Sequence, residues 1–82
     1  NQNYPNPFNP TTNIKFDIAK SGFAKVSIYN SVGKEIARIV NENLTPGSYE
    51  VNWNATGVSS GIYYYRLETL EYTSTKKMVL VK

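Results

Sequence analysis

The stretch NIKFDI, residues 13–18, decides how the rest of the chain is read. Ile14, Phe16 and Ile18 fall on one side of an extended backbone, Lys15 and Asp17 on the other. That period of two marks a strand with one buried face. The alternation returns downstream. AKVSIYN (24–30) turns Ala24, Val26 and Ile28 inward, and SYEVNWN (48–54) does the same with Tyr49, Val51 and Trp53. IYYYRLETL (62–70) puts Tyr63, Tyr65 and Leu67 on one face and Ile62, Tyr64 and Arg66 on the other. STKKMVLVK (74–82) closes the chain with Met78 and Leu80 opposed to Val79 and Val81. KEIARIV (34–40) fits either period over so short a span: Ile36 and Ile39 suit a helix, whereas Ile36, Arg38 and Val40 suit a bulged strand. Its neighbours are strands and it has no cap, so it reads as a strand.

The punctuation between these runs is turn chemistry. Lys20-Ser21-Gly22 ends the first strand, and Asn30-Ser31-Val32-Gly33 is a hairpin loop with Gly33 at the position needing positive φ. Pro46-Gly47 predicts a type II turn, and ATGVSSG (55–61) is a loop. Six short strands at this spacing, with the opening segment as an irregular seventh, predict an all-β sandwich or small barrel. Face-to-face sheets would bury Phe16, Ile28, Val51, Trp53, Tyr65 and Met78. No internal repeat supports a blade or solenoid array.

Eighty-two residues allow one small domain, which buries roughly 60–65% of its potential surface. Hydrophobic residues make up 40% and charged residues only 18%, below the globular average. Asn, Ser, Thr and seven tyrosines carry the polarity, favouring strands and turns. The net charge of +3 is spread singly except at Lys76, Lys77 and Lys82, so the basic stripe of a nucleic-acid binder is missing. No apolar run approaches a membrane span or a signal peptide's hydrophobic block. Without cysteine there is no disulfide framework, and the core alone must hold the fold.

Catalytic chemistry is poorly supplied. With neither histidine nor cysteine, the commonest acid/base and the usual nucleophile pairs are excluded, as are His- or Cys-based zinc and haem sites. Asp17 is the only aspartate, and Glu35, Glu42, Glu50, Glu68 and Glu71 read as solvated strand or loop positions rather than a carboxylate pair. No calcium loop, phosphate-cradling loop or dinucleotide fingerprint is present. The chain reads as non-enzymatic, with no cofactor. Asn43-Leu44-Thr45 and Asn54-Ala55-Thr56 match the glycosylation sequon and are read as turn chemistry. Tyr63, Tyr64 and Tyr65 place adjacent rings on opposite faces, which exposes one face's rings and leaves sugar stacking open as a minor alternative.

The opening, NQNYPNPFNPTT, is rich in asparagine and proline. Pro5, Pro7 and Pro10 fix φ and hold the preceding residues extended, so the segment is stiffer than a linker. Phe8 is its one large apolar group. Residues 1–12 are expected to form an ordered opening segment packed on the core.

Asn3-Tyr4-Pro5-Asn6-Pro7-Phe8-Asn9-Pro10-Thr11-Thr12, followed by Ile14 and Phe16, resembles the start of the type A C-terminal sorting domain of the type IX secretion system. The resemblance continues in order along nearly the whole chain: Val26 to Gly33, then Ile36 and Val40, then Pro46-Gly47 with Tyr49, Val51 and Trp53. Ser60 to Leu67 is similar to the family's "SG-x-Y-x-Y-R-L" strand, and Lys76 to Lys82 to its terminal "KKM-V-L-x-K". The resemblance implies an immunoglobulin-like sandwich of about seven mostly antiparallel strands. It also implies a signal domain, placed last in its polypeptide, that takes an attached N-terminal cargo from the periplasm across the outer membrane of Bacteroidetes-type bacteria. The cargo then stays at the cell surface or is released. The implied partners are the type IX machinery and a sortase-like surface peptidase.

By the same resemblance the recognition determinants are Gly61 and the terminal Lys76, Lys77, Met78, Val79, Leu80, Val81 and Lys82. Pro5, Pro7, Phe8, Pro10 and Trp53 are structural. A closing edge strand with lysines on it fits such a role, since an edge accepts further strands and charge discourages self-pairing. The opening also resembles the immunoglobulin-like domain of flagellar hook-capping proteins, which keeps a structural accessory or assembly module as the alternative.

Overall fold

The computed structural model describes residues 10–81. The expectations for Pro5, Pro7, Phe8 and Lys82, and most of the opening segment, lie outside the described residues.

Among the described residues six antiparallel strands carry the fold: β1 (Thr11–Ile18), β2 (Gly22–Asn30), β3 (Glu35–Leu44), β4 (Gly47–Asn54), β5 (Gly61–Glu68) and β6 (Thr73–Leu80). They form two sheets, β1-β4 and β3-β2-β5-β6. The arrangement is all-β and sandwich-like, because the alternating apolar faces of both sheets converge on one core. β1 contributes Ile14, Phe16 and Ile18, β2 contributes Ala24, Val26 and Ile28, and β5 contributes Tyr63, Tyr65 and Leu67. Val40 of β3, Trp53 of β4, Ala55 just after it, and Met78 and Leu80 of β6 complete it. Val51, expected to be buried, is only half-buried and packs at the margin.

Two ring contacts show how the strands interlock. Phe16 stands opposite Tyr49 in the β1–β4 ladder, and their rings stack with centroids 5.5 Å apart. Trp53 of the smaller sheet meets Tyr63 of the larger one edge-on at 6.0 Å, a geometry that rings favour over a face-to-face sandwich. The Tyr63 hydroxyl donates to the Ser59 carbonyl at 2.5 Å, so the buried ring keeps its polar tip satisfied.

The β2–β3 hairpin follows its turn residues. Gly33 has φ +87, and the Asn30 side-chain Oδ1 accepts from the Val32 and Lys34 backbone N–H groups at 3.1 and 2.9 Å. Asn54 accepts from the Thr56 N–H at 2.9 Å, the expected turn role. Asn43 departs from that reading, since it lies within β3 opposite Phe23.

Other departures have physical causes. β3 extends to Leu44, and its register against β2 slips twice: Val26 faces Val40 but Ser27 faces Arg38, and Ile28 faces Ala37 but Tyr29 faces Glu35. Each extra residue shifts the alternation by one. Val40 is therefore buried, Ile36 is 38% exposed, and Ala37 with Ile39 packs against the core. The expected common face of Ile36, Arg38 and Val40 does not form. Gly47 has φ +155 rather than the about +80 that a type II turn requires, and it already begins β4. β5 ends at Glu68, so Leu70 lies in the β5–β6 loop, 78% exposed.

Candidate functional site

β5 and β6 form an antiparallel hairpin that gathers most of the expected recognition residues. Gly61 faces Leu80, Ile62 faces Val79, Tyr63 faces Met78, Tyr64 faces Lys77 and Tyr65 faces Lys76. Alternation divides them between two environments. Met78 and Leu80 are fully buried beside Tyr63 and Tyr65, so a partner cannot touch their side chains while the domain is folded. Lys77 and Val79 belong to the outer face, Lys77 exposed and Val79 half-buried, and Val81 is exposed just beyond β6. Tyr64 is half-buried on that face, and Ile62 is 44% exposed there. Lys76 is half-buried at a narrow cleft of about 110 Å³ between β1 and β6, also lined by Lys15, Asp17 and Ser74.

Gly61 begins β5 with φ +151, a backbone region essentially restricted to glycine. It sets where β5 starts, and so which residue Leu80 meets. Trp53 supports the hairpin from behind through Tyr63. Pro10 is tied to the loop after β4, its carbonyl accepting from the Ala55 N–H at 2.9 Å.

The outer face also holds residues that sequence reasoning did not single out. Ser27 of β2 faces Arg38 on one side and Arg66 on the other. Tyr29, two residues along, has the Arg66 guanidinium 4.8 Å above its ring. Only the pairing register brings these groups together, and nothing in the local sequence announces it.

Among the described residues there is no group of His, Cys, Asp or Glu able to hold a metal ion, and no helix long and apolar enough to cross a membrane. What the fold presents is a small β module with a structured closing hairpin. The chain belongs to the family described as the secretion system C-terminal sorting domain, whose match spans residues 2–82. It is a non-catalytic sorting signal for type IX secretion cargo, associated with that machinery and with an N-terminal cargo domain. No curated protein and no solved structure matches the chain.

Proposed function

We propose that the signal is read as a folded surface, and that its determinants are Gly61 and the terminal run from Lys76 to Lys82. The observation that carries this is the division within β6. Burial of Met78 and Leu80 fixes the strand, the same pairing presents Lys77 and Val79 outward, and Val81 lies exposed just beyond it. The buried members act as positioning residues and the outward members meet the machinery. The cargo crosses from the periplasm through the outer membrane, and a sortase-like peptidase at the surface separates signal from cargo.

The strand order supports an immunoglobulin-like reading of the sandwich. β1 and β4 correspond to strands B and E of that fold, and β3-β2-β5-β6 to C′-C-F-G. In this reading the recognition strand is the last strand of the larger sheet.

The test is export of a periplasmic reporter fused ahead of the chain in a host with the type IX machinery. Deleting 76–82 would remove two core residues along with the signal, so the informative variants are on the surface. Lys77→Glu with Val81→Asp is expected to leave the fold intact and strand the reporter in the periplasm. Undiminished delivery by that variant would contradict the placement.

A further inference from the structure

We propose that the outer face of the four-stranded sheet docks a component of the secretion machinery, with Ile62, Tyr64 and Tyr29 recognised alongside Lys77 and Val79. The partner's own surface has an apolar centre and a rim of carboxylates. The two outward faces of the sandwich differ in kind. The outward pairs of the β1–β4 sheet are Thr11 with Asn54, Asn13 with Asn52, Lys15 with Glu50 and Asp17 with Ser48, all polar. That is the usual solvent face of an antiparallel sheet. On the larger sheet the outward pairs include Ile62 with Val79, Tyr64 with Lys77, and Tyr29 with Tyr64. Ile62 is 44% exposed, and Val79, Tyr64 and Tyr29 are half-buried. Cross-strand partners and residues two apart on a strand are neighbours on one face. Val79, Ile62, Tyr64 and Tyr29 therefore form one strip across β6, β5 and β2. A contiguous apolar strip with a polar rim marks a docking surface, and aromatic residues are enriched at the centres of such surfaces.

Charge selects the occupant. The outward strand positions of the larger sheet carry Lys25, Arg38, Arg66 and Lys77 against Glu35 and Glu68, a net of +2. Those of the smaller sheet carry Lys15 against Asp17 and Glu50, a net of −1. Two of the cations border the strip directly. Lys77 stands opposite Tyr64, and the Arg66 guanidinium lies 4.8 Å from the centroid of the Tyr29 ring. A partner with carboxylates around an apolar centre matches this pattern, and such complementarity guides encounter and fixes register. Arg38 is held by Glu35 at 2.9 Å and Lys25 by Glu68 at 3.4 Å. The face therefore lacks the concerted cations that a nucleic acid or an anionic lipid surface requires.

The strip is continuous with Lys77 and Val79 of the terminal run, so it widens the recognised surface from one strand to three. It rests on the reading that the terminal run is recognised as a folded surface, and the two fail separately. Loss of export with Lys77→Glu and Val81→Asp, but not with changes confined to β5, overturns only the wider face. Full delivery by both overturns the terminal-strand reading as well.

The experiment measures the delivered fraction of the fused reporter in a type IX-competent host. Ile62→Ser with Tyr64→Ser leaves the terminal run untouched and is expected to lower delivery about tenfold, the scale of losing contacts at the centre of an interface. Arg38→Gln with Arg66→Gln, which takes the face from its net positive charge to neutrality, is expected to lower it about threefold. Asn13→Ser with Asn52→Ser, on the polar face, is expected to deliver as the native chain does. Denaturation midpoints of the purified chains report whether each variant is folded, and the charge variant carries the test where the β5 variant is not. Undiminished delivery by folded variants of the larger sheet, or an equal loss from the polar face, would overturn the proposal. Sedimentation equilibrium and flotation with phosphatidylglycerol vesicles check the other occupants. A dimer or a vesicle complex that the β5 variant abolishes would assign the face to a second copy or to lipid, and would equally overturn it.

Discussion

Gly61, the first residue of β5, stands directly opposite Leu80, the last residue of β6. The hairpin therefore closes in full register, and the C-terminal strand is fixed by pairing as well as by burial. Gly61 has φ +151 and open space where a side chain would begin. Gly61→Ala should therefore cost about 1–3 kcal/mol through backbone strain and not through a clash. Chemical denaturation measures the loss. A cost near zero would show that the hairpin tolerates a different start.

Core and surface positions of the terminal strand should separate cleanly. Met78→Ala empties a site with no exposure and should cost about 2–5 kcal/mol. Val81→Asp, at 47% exposure just beyond β6, should stay within about 0.5 kcal/mol. Denaturation midpoints of the two variants check the contrast.

Trp53 joins the sheets through its edge contact with Tyr63. Trp53→Ala should cost about 3–5 kcal/mol, lost as an earlier cooperative transition by circular dichroism. Trp53→Phe should recover more than half of that, because a ring is kept against Tyr63.

Ser27→Ala should leave the fold as stable or raise it by about 1 kcal/mol, since it removes a buried hydroxyl that has no hydrogen-bond partner among the described residues. A clear loss of stability would show that the hydroxyl has a partner in solution.

Alternation alone made the strands and most of the core legible, because Ile14, Phe16, Val26, Ile28, Tyr65 and Met78 each sit in phase with neighbours on the same face. What alternation cannot supply is register. Arg38 reads as a partner of Ile36 and Val40 until the one extra residue between it and Val40 turns it toward Ser27 on the outer face. The pairing of β1 with β4, across two intervening strands, is likewise a long-range choice made by packing. The terminal run was legible as a unit through family resemblance. Its division into buried Met78 and Leu80 and outward Lys77 and Val79 became meaningful only once β5 was placed beside it. Ser27 escaped notice because a serine in a strand signals nothing until both neighbouring strands contribute arginine.

The most direct measurement of the central claim is the fraction of a fused reporter reaching the cell surface or medium of a type IX-competent host. It should be compared among the native chain, the surface variant Lys77→Glu with Val81→Asp, and a strain lacking the machinery. A folded outward-facing signal predicts delivery by the native chain alone, with the surface variant and the machinery-deficient strain both retaining a folded reporter in the periplasm. Retention of the native fusion, or delivery without the machinery, would contradict it.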